Sequence, residues 1–246
     1  MKKIVITLCT CMLAAQVFSQ TGTDTKLKSH FDAMLAANLG IPFPEMKKAI
    51  QNNMGDAGFG LSLLILSNPL SWTKKEADKK ASPFRIGGEI GYTYYGRFKT
   101  QVNINGFGGD YKTSYGIAKL RAVVRFRPAY TRTFTPFADV FAGGDFYLSS
   151  IKENLGFLES SLGLQSLDFG GTSSASFSKG IAVGFTVGSL KPDAGRFVCR
   201  ISFTDGSSIR YIVRNSLQYD ATYHRLVYQE GRAPLRYLMI ELGIGM

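Results

Sequence analysis

The stretch from Leu238 to Met246 alternates apolar with small or polar side chains without a break. Leu238, Ile240, Leu242, Ile244 and Met246 make one row; Met239, Glu241, Gly243 and Gly245 make the other. A period of two sends successive side chains to opposite faces of a strand, so this segment has one apolar face to cover. The same alternation recurs upstream and predicts eight strands. They run about 29–39, 57–66, 84–95, 115–127, 136–148, 176–188, 196–204 and 238–246. In the fourth, Ala118, Leu120, Ala122, Val124 and Phe126 oppose Lys119, Arg121, Val123, Arg125 and Arg127. In the sixth, Ile181, Val183, Phe185 and Val187 oppose a row containing Gly180, Gly184 and Gly188. Residues 31–39 are rich in Ala and Leu and read equally as a strand or a short helix.

The N-terminus carries an export signal. Lys2 and Lys3 precede the mostly apolar Ile4 to Val17, and Phe18-Ser19-Gln20 leads into a polar stretch. Cleavage is expected near Gln20, which divides the chain into a signal, 1–20, and one barrel domain, 21–246. Cys9 and Cys11 lie inside the signal, preceded by Leu8 and Thr10 rather than by the small residue of a lipoprotein signal. The exported part then holds one cysteine, Cys199, which leaves no internal disulfide and no Cys-based metal cluster.

After the signal no apolar run reaches the ~18 residues of a membrane helix. A membrane-spanning form must then close into a barrel, because lipid offers no partner to an open strand edge. The expected class is all-β: a closed antiparallel transmembrane β-barrel of eight strands. Its short periplasmic turns are expected at 67–83, 128–135 and 189–195, and its long outer loops at 40–56, 96–114, 149–175 and 205–233. The turn 67–83 contains the charged run Lys74 to Lys80, which reads as a short helix. No appended domain is expected after Met246.

In such a barrel the charged rows face the lumen. Glu89, Asp139, Asp145 and Glu241 can be matched with Lys119, Arg121, Arg125, Arg127 and Arg200. Charges in a narrow interior must pair, and eight strands leave an interior that side chains fill. The expectation is a plugged lumen. Its alternative is a narrow anion path along Arg121, Arg125 and Arg127. A soluble barrel binding an apolar ligand would reverse the faces, with this basic row in water.

Removing Lys2 and Lys3 with the signal takes the formal net charge from +11 to +9. Export excludes nucleic acid as the partner of that charge. Outer-membrane lipid including lipopolysaccharide is the expected counter-surface, and the barrel assembly machinery is the expected partner of the row Leu238, Ile240, Leu242, Ile244 and Met246. The last loop gathers Arg210, Tyr211, Arg214, Tyr219, Tyr223, Arg225 and Tyr228, residue types enriched at protein contacts.

His30 and His224 stand in no metal-binding spacing. His224 with Ser216 and Asp220 is one loop set for a lipid hydrolase, though the spacing matches no known motif. No phosphate-binding or dinucleotide loop and no zinc signature occurs, so no cofactor is expected and the chain reads as a non-enzyme. A small porin or a secretion-machine subunit is the alternative.

Several segments resemble small outer-membrane β-barrel proteins of the Bacteroidetes group, OmpA-like or porin-family barrels mostly of unassigned function. These are Ser19-Gln20, Gly58-Phe59-Gly60-Leu61, Ser82 to Tyr92, Pro136-Phe137-Ala138-Asp139-Val140 and Leu242 to Met246. The resemblance implies the barrel fold and brings no catalytic residue. Met246 stands where that family usually ends in an aromatic residue.

Overall fold

The computed structural model describes residues 31–50, 57–69, 83–104, 107–127, 134–153, 168–188, 195–213, 215–220, 222 and 225–245. The expected signal, His30, Arg214, Tyr223, His224 and Met246, together with the charged run 74–80, lie outside them.

Eight strands close into one antiparallel barrel: β1 (Phe31–Pro42), β2 (Gly58–Ser67), β3 (Phe84–Ile104), β4 (Phe107–Phe126), β5 (Phe134–Glu153), β6 (Asp168–Val187), β7 (Arg196–Ile212) and β10 (Glu230–Gly245). Between β7 and β10 a small hairpin forms from β8 (Gln218–Asp220) and β9 (Arg225–Val227). A helix, α1 (Pro44–Ile50), follows β1. The barrel shuts where β1 meets β10, with Ala37 opposite Leu242 and Asn38 opposite Glu241. The stretch 31–39 is therefore a strand, paired to β10 on one side and β2 on the other. Pairing on both sides overrides the helix preference of its Ala and Leu.

The two faces sort by polarity as a lipid-facing barrel requires. Leu120, Ile181 and Val183 point outward and are 58–60% exposed. Phe84, Phe126, Phe146, Phe177 and Phe203 join them on the outer face. Arg121, Arg125 and Arg127 are buried inside. This is the reverse of a soluble barrel with an apolar interior, and it rules that alternative out. On β4 the apolar outer row runs from Phe126 to Ala118, with Gly116 above it covered by the Tyr92 ring of β3. At 3.3 Å per residue and a strand tilt near 40°, the stretch from Phe126 to Gly116 stands roughly 25 Å tall, the height of a bilayer's apolar band.

The strands do not stop at the top of this band. β3 and β4 stay paired out to Ile104 and Phe107, β5 and β6 out to Lys152 and Asp168, and β7 and β10 out to Ile212 and Glu230. Much of the sequence expected as long outer loop is thus paired ribbon. The alternation continues there with its polarity inverted, so a search for outward apolar rows passes over it. On β3, Phe98 and Val102 are buried inside while Arg97, Lys99 and Gln101 are exposed. The inversion is made by a β-bulge between Tyr94 and Gly96. One extra residue moves every later side chain to the other face. Gly96 takes the left-handed backbone conformation (φ 95°) that such a bulge needs. A second shift on β7, opposite Pro234 and Leu235, turns Ile209 inward.

Candidate functional site

The interior of the lipid-facing part holds a charge network beside an apolar cluster that includes Met34, Leu64, Leu66, Val123, Ala182 and Val198. Arg200, near the start of β7, is the hub of the charge network. Its Nε donates to Asp139 Oδ2 at 2.8 Å, and its Nη1 ion-pairs with Glu89 at 3.0 Å and with Glu241. Register explains this convergence. Arg200 lies directly opposite Glu241 on β10, whereas Glu89 reaches it from the far wall. Lys119 joins the two glutamates from β4, at 2.9 Å to Glu241 and in contact with Glu89. Ser62 of β2 donates to Glu241 at 2.7 Å.

Two bidentate pairs flank the hub. Arg125 grips Asp139 at 2.7 and 2.9 Å, and Arg121 grips Asp145 at 3.0 and 2.6 Å. Forked guanidinium–carboxylate pairs of this kind fix orientation as well as charge. Aromatic rings carry the guanidinium faces: Arg125 lies 3.6 Å from the Phe137 ring centre and Arg121 lies 4.7 Å from that of Phe141. Gly180 and Gly184 on β6 leave the space into which the Phe141 and Phe137 rings project. Four carboxylates, Glu89, Asp139, Asp145 and Glu241, thus meet four cations, Lys119, Arg121, Arg125 and Arg200, all buried.

Arg127 sits apart from this cluster, at the end of the barrel where β1 starts and β10 stops. It pairs with Asp32 at 3.2 Å, and Arg85 reaches the same carboxylate at 3.3 Å. A cavity of about 30 Å³ lies beside them, lined in part by Arg125 and Arg196. That is room for no more than a water or two. Arg121, Arg125 and Arg127, the row considered for an anion path, each hold a carboxylate.

Above the network the interior turns apolar. Tyr95, Tyr115, Tyr147, Leu235, Tyr237 and Met239 pack together with Met46 and Ala49 of α1. The helix folds over the barrel mouth, held by Tyr147 Oη donating to the Ala49 carbonyl at 2.6 Å and by the Phe43 amide donating to the Arg236 carbonyl. Tyr237 links the two zones by donating to Asp145 at 3.0 Å. Higher still, Val102, Tyr111, Ile151, Ile212 and Leu217 form a third cluster, against which Tyr219, Leu226 and Tyr228 of the small hairpin pack.

The residues singled out in the last loop therefore divide. Tyr211 on β7 leans on the aromatic layer under α1, while Tyr219 and Tyr228 pack on the third cluster and fasten the hairpin to the barrel top. Arg210 is exposed, 3.6 Å from Glu230. Arg225 lies on β9. Ser216 donates to the Val213 carbonyl at 2.6 Å and accepts from the Gln229 amide, and Asp220 accepts from the Thr222 amide at 2.9 Å. Both side chains are engaged in turn structure. Of the row Leu238, Ile240, Leu242 and Ile244, all point outward on the closing strand. Cys199 is free and lies on the outer face of β7 between Phe197 and Ile201. Sequence reasoning passed over Ser62, Tyr237, Phe137 and Phe141 as parts of the network, although each sits on an inward row.

No family model matches the sequence, and no curated protein does. Among solved structures, Neisserial surface protein A is similar over 89% of this chain and 97% of its own, at 12% identity and a TM-score of 0.41. A major outer membrane protein from Thermus thermophilus is similar over 87% and 98%, at 12% identity and a TM-score of 0.44. Ail, the attachment invasion locus protein of Yersinia pestis, is similar over 88% and 96%, at 11% identity and a TM-score of 0.37. The comparisons do not support the Bacteroidetes affinity that the sequence motifs imply.

Proposed function

We propose that this chain is an integral outer-membrane barrel with a closed interior, whose work is structural, adhesive or partner-binding and is done by the ribbons above the membrane. The observation that carries this reading is the inversion of polarity along the strands. Below the bulges the outside is apolar and the inside holds the buried charges with an apolar cluster beside them; above them the outside is polar and the inside apolar. The lower part suits lipid and the upper part suits water. The start of β1 and the end of β10 both lie at the lower end, which an exported barrel keeps in the periplasm. The ribbons then stand outside the cell. Lipopolysaccharide and other outer-membrane lipid surround the apolar belt, the assembly machinery receives the closing strand, and a protein partner meets exposed ribbon side chains such as Arg210 and Arg232.

A charge-balanced network under an apolar layer gives an ion nothing to exchange its hydration shell for. The purified protein inserted in planar bilayers is therefore expected to be electrically silent. Reproducible single-channel steps would replace this reading with transport.

A further inference from the structure

On the outer face of the longest ribbon, register sets three lysines side by side. Lys99 of β3 lies directly opposite Lys112 of β4, and Lys112 lies directly opposite Lys152 of β5. Arg97, paired with Ser114, stands one step below on the same face. Directly opposite side chains in a sheet sit about 5 Å apart at Cβ, and like charges there destabilise the pairing. Partial burial and the charges of Arg97 and Lys99 hold the Lys112 amine below the usual lysine range, with Asp110 acting the other way. Asp168 of β6 stands opposite Lys152 and offsets that end of the row, while Lys99 and Lys112 keep the like-charge pairing.

Height explains it. The outward apolar row ends at Tyr94 on β3, at Gly116 under the Tyr92 ring on β4, and at Leu148 on β5. On β4 and β5 the lysines follow four residues further on, roughly 13 Å along the strands and about 10 Å in height at a tilt near 40°. That is the level at which the headgroups of the surrounding lipid begin, and the lysines point outward into them, away from the lumen. We propose that Lys99, Lys112 and Lys152, with Arg97 at their lower edge, form a docking row for the phosphate groups of outer-leaflet lipid. The inference rests on the membrane reading above and adds to it a fixed lipid contact. A lipid with two phosphates spans neighbouring lysines, and its acyl chains lie along the apolar wall below.

The test uses the purified full-length barrel in detergent micelles, titrated with bis-phosphorylated lipid A and with the same lipid dephosphorylated, bound lipid being counted by native mass spectrometry. The double variant K99Q/K112Q should bind the phosphorylated lipid roughly thirtyfold more weakly, the loss expected of two headgroup-facing cations. It should bind the dephosphorylated lipid as the parent does. K179Q, on a different part of the outer wall, should bind both like the parent. Equal binding of phosphorylated lipid by parent and double variant overturns the row. Binding of inorganic pyrophosphate as tight as that of the lipid overturns the lipid assignment in favour of a free anion. Boiled and unboiled gels separate the two levels of failure. A parent without a heat-dependent mobility shift refutes the membrane barrel, whereas a shifted parent indifferent to the phosphates refutes the row alone. Should K99Q/K112Q lose the shift, R97Q/K152Q makes the same measurement.

Discussion

Arg200 holds Asp139, Glu89 and Glu241 at once, and it does so in the one part of the molecule where water cannot replace it. Removing one member of a buried ionic cluster leaves its partners charged and uncompensated, which costs about 3–5 kcal/mol. Arg200→Met should therefore lower the urea midpoint of barrel unfolding by the equivalent of that amount, while a variant as stable as the parent would show that solvent reaches the cluster. At this scale much was legible in the sequence. The charged row of the fourth predicted strand and the carboxylates at 89, 139, 145 and 241 all fall on inward positions, because a period of two assigns faces without any knowledge of register. Pairing was not legible. Which carboxylate meets Arg200 depends on the stagger between β7 and β10 and on the far wall reached by Glu89. Alternation in single strands contains no record of either. The ring supports of Arg121 and Arg125 were hidden for the same reason: Phe137 and Phe141 read as ordinary apolar residues until Gly184 and Gly180 are seen beside them.

Among the elements, β3 carries the most information per residue. It spans the apolar belt to Tyr94, turns its faces over at Gly96, and continues as the wall of a water-facing ribbon. Any side chain at Gly96 must adopt a left-handed conformation, at a cost of order 1–3 kcal/mol. Gly96→Val should accordingly lower the unfolding midpoint and raise protease cleavage in the β3–β4 ribbon, since relaxing the bulge would expose Phe98 and Val102. Unchanged cleavage would mean that the bulge is not what inverts the faces. Strand positions in the belt were legible because lipid-facing rows are long and uniformly apolar. Strand ends were not, because beyond the bulge the apolar residues change sides and the outer row becomes Arg97, Lys99 and Gln101, which reads as loop. α1 escaped for a different reason. Its seven residues are too few to show a helical period, and among its described side chains Met46 and Ala49 meet the core.

The described residues stack their interiors in layers: a charge network beside an apolar cluster in the belt, an aromatic layer closed by α1, and a small apolar cluster under the β8–β9 hairpin. The alternation of the closing strand and the lack of a membrane helix were enough to expect a closed barrel of eight strands, since lipid leaves a chain of this pattern no other way to satisfy its backbone. The upper layers were not expected, because nothing in an alternation pattern tells a ribbon that stands above a membrane from a loop. The central claim is that the lower half of this barrel sits in the outer membrane. Fractionating cell envelopes and running the outer-membrane fraction on gels, boiled and unboiled, tests it most directly. The account predicts the protein in that fraction, with the unboiled form migrating differently from the boiled one. A soluble periplasmic protein with a single mobility would contradict it.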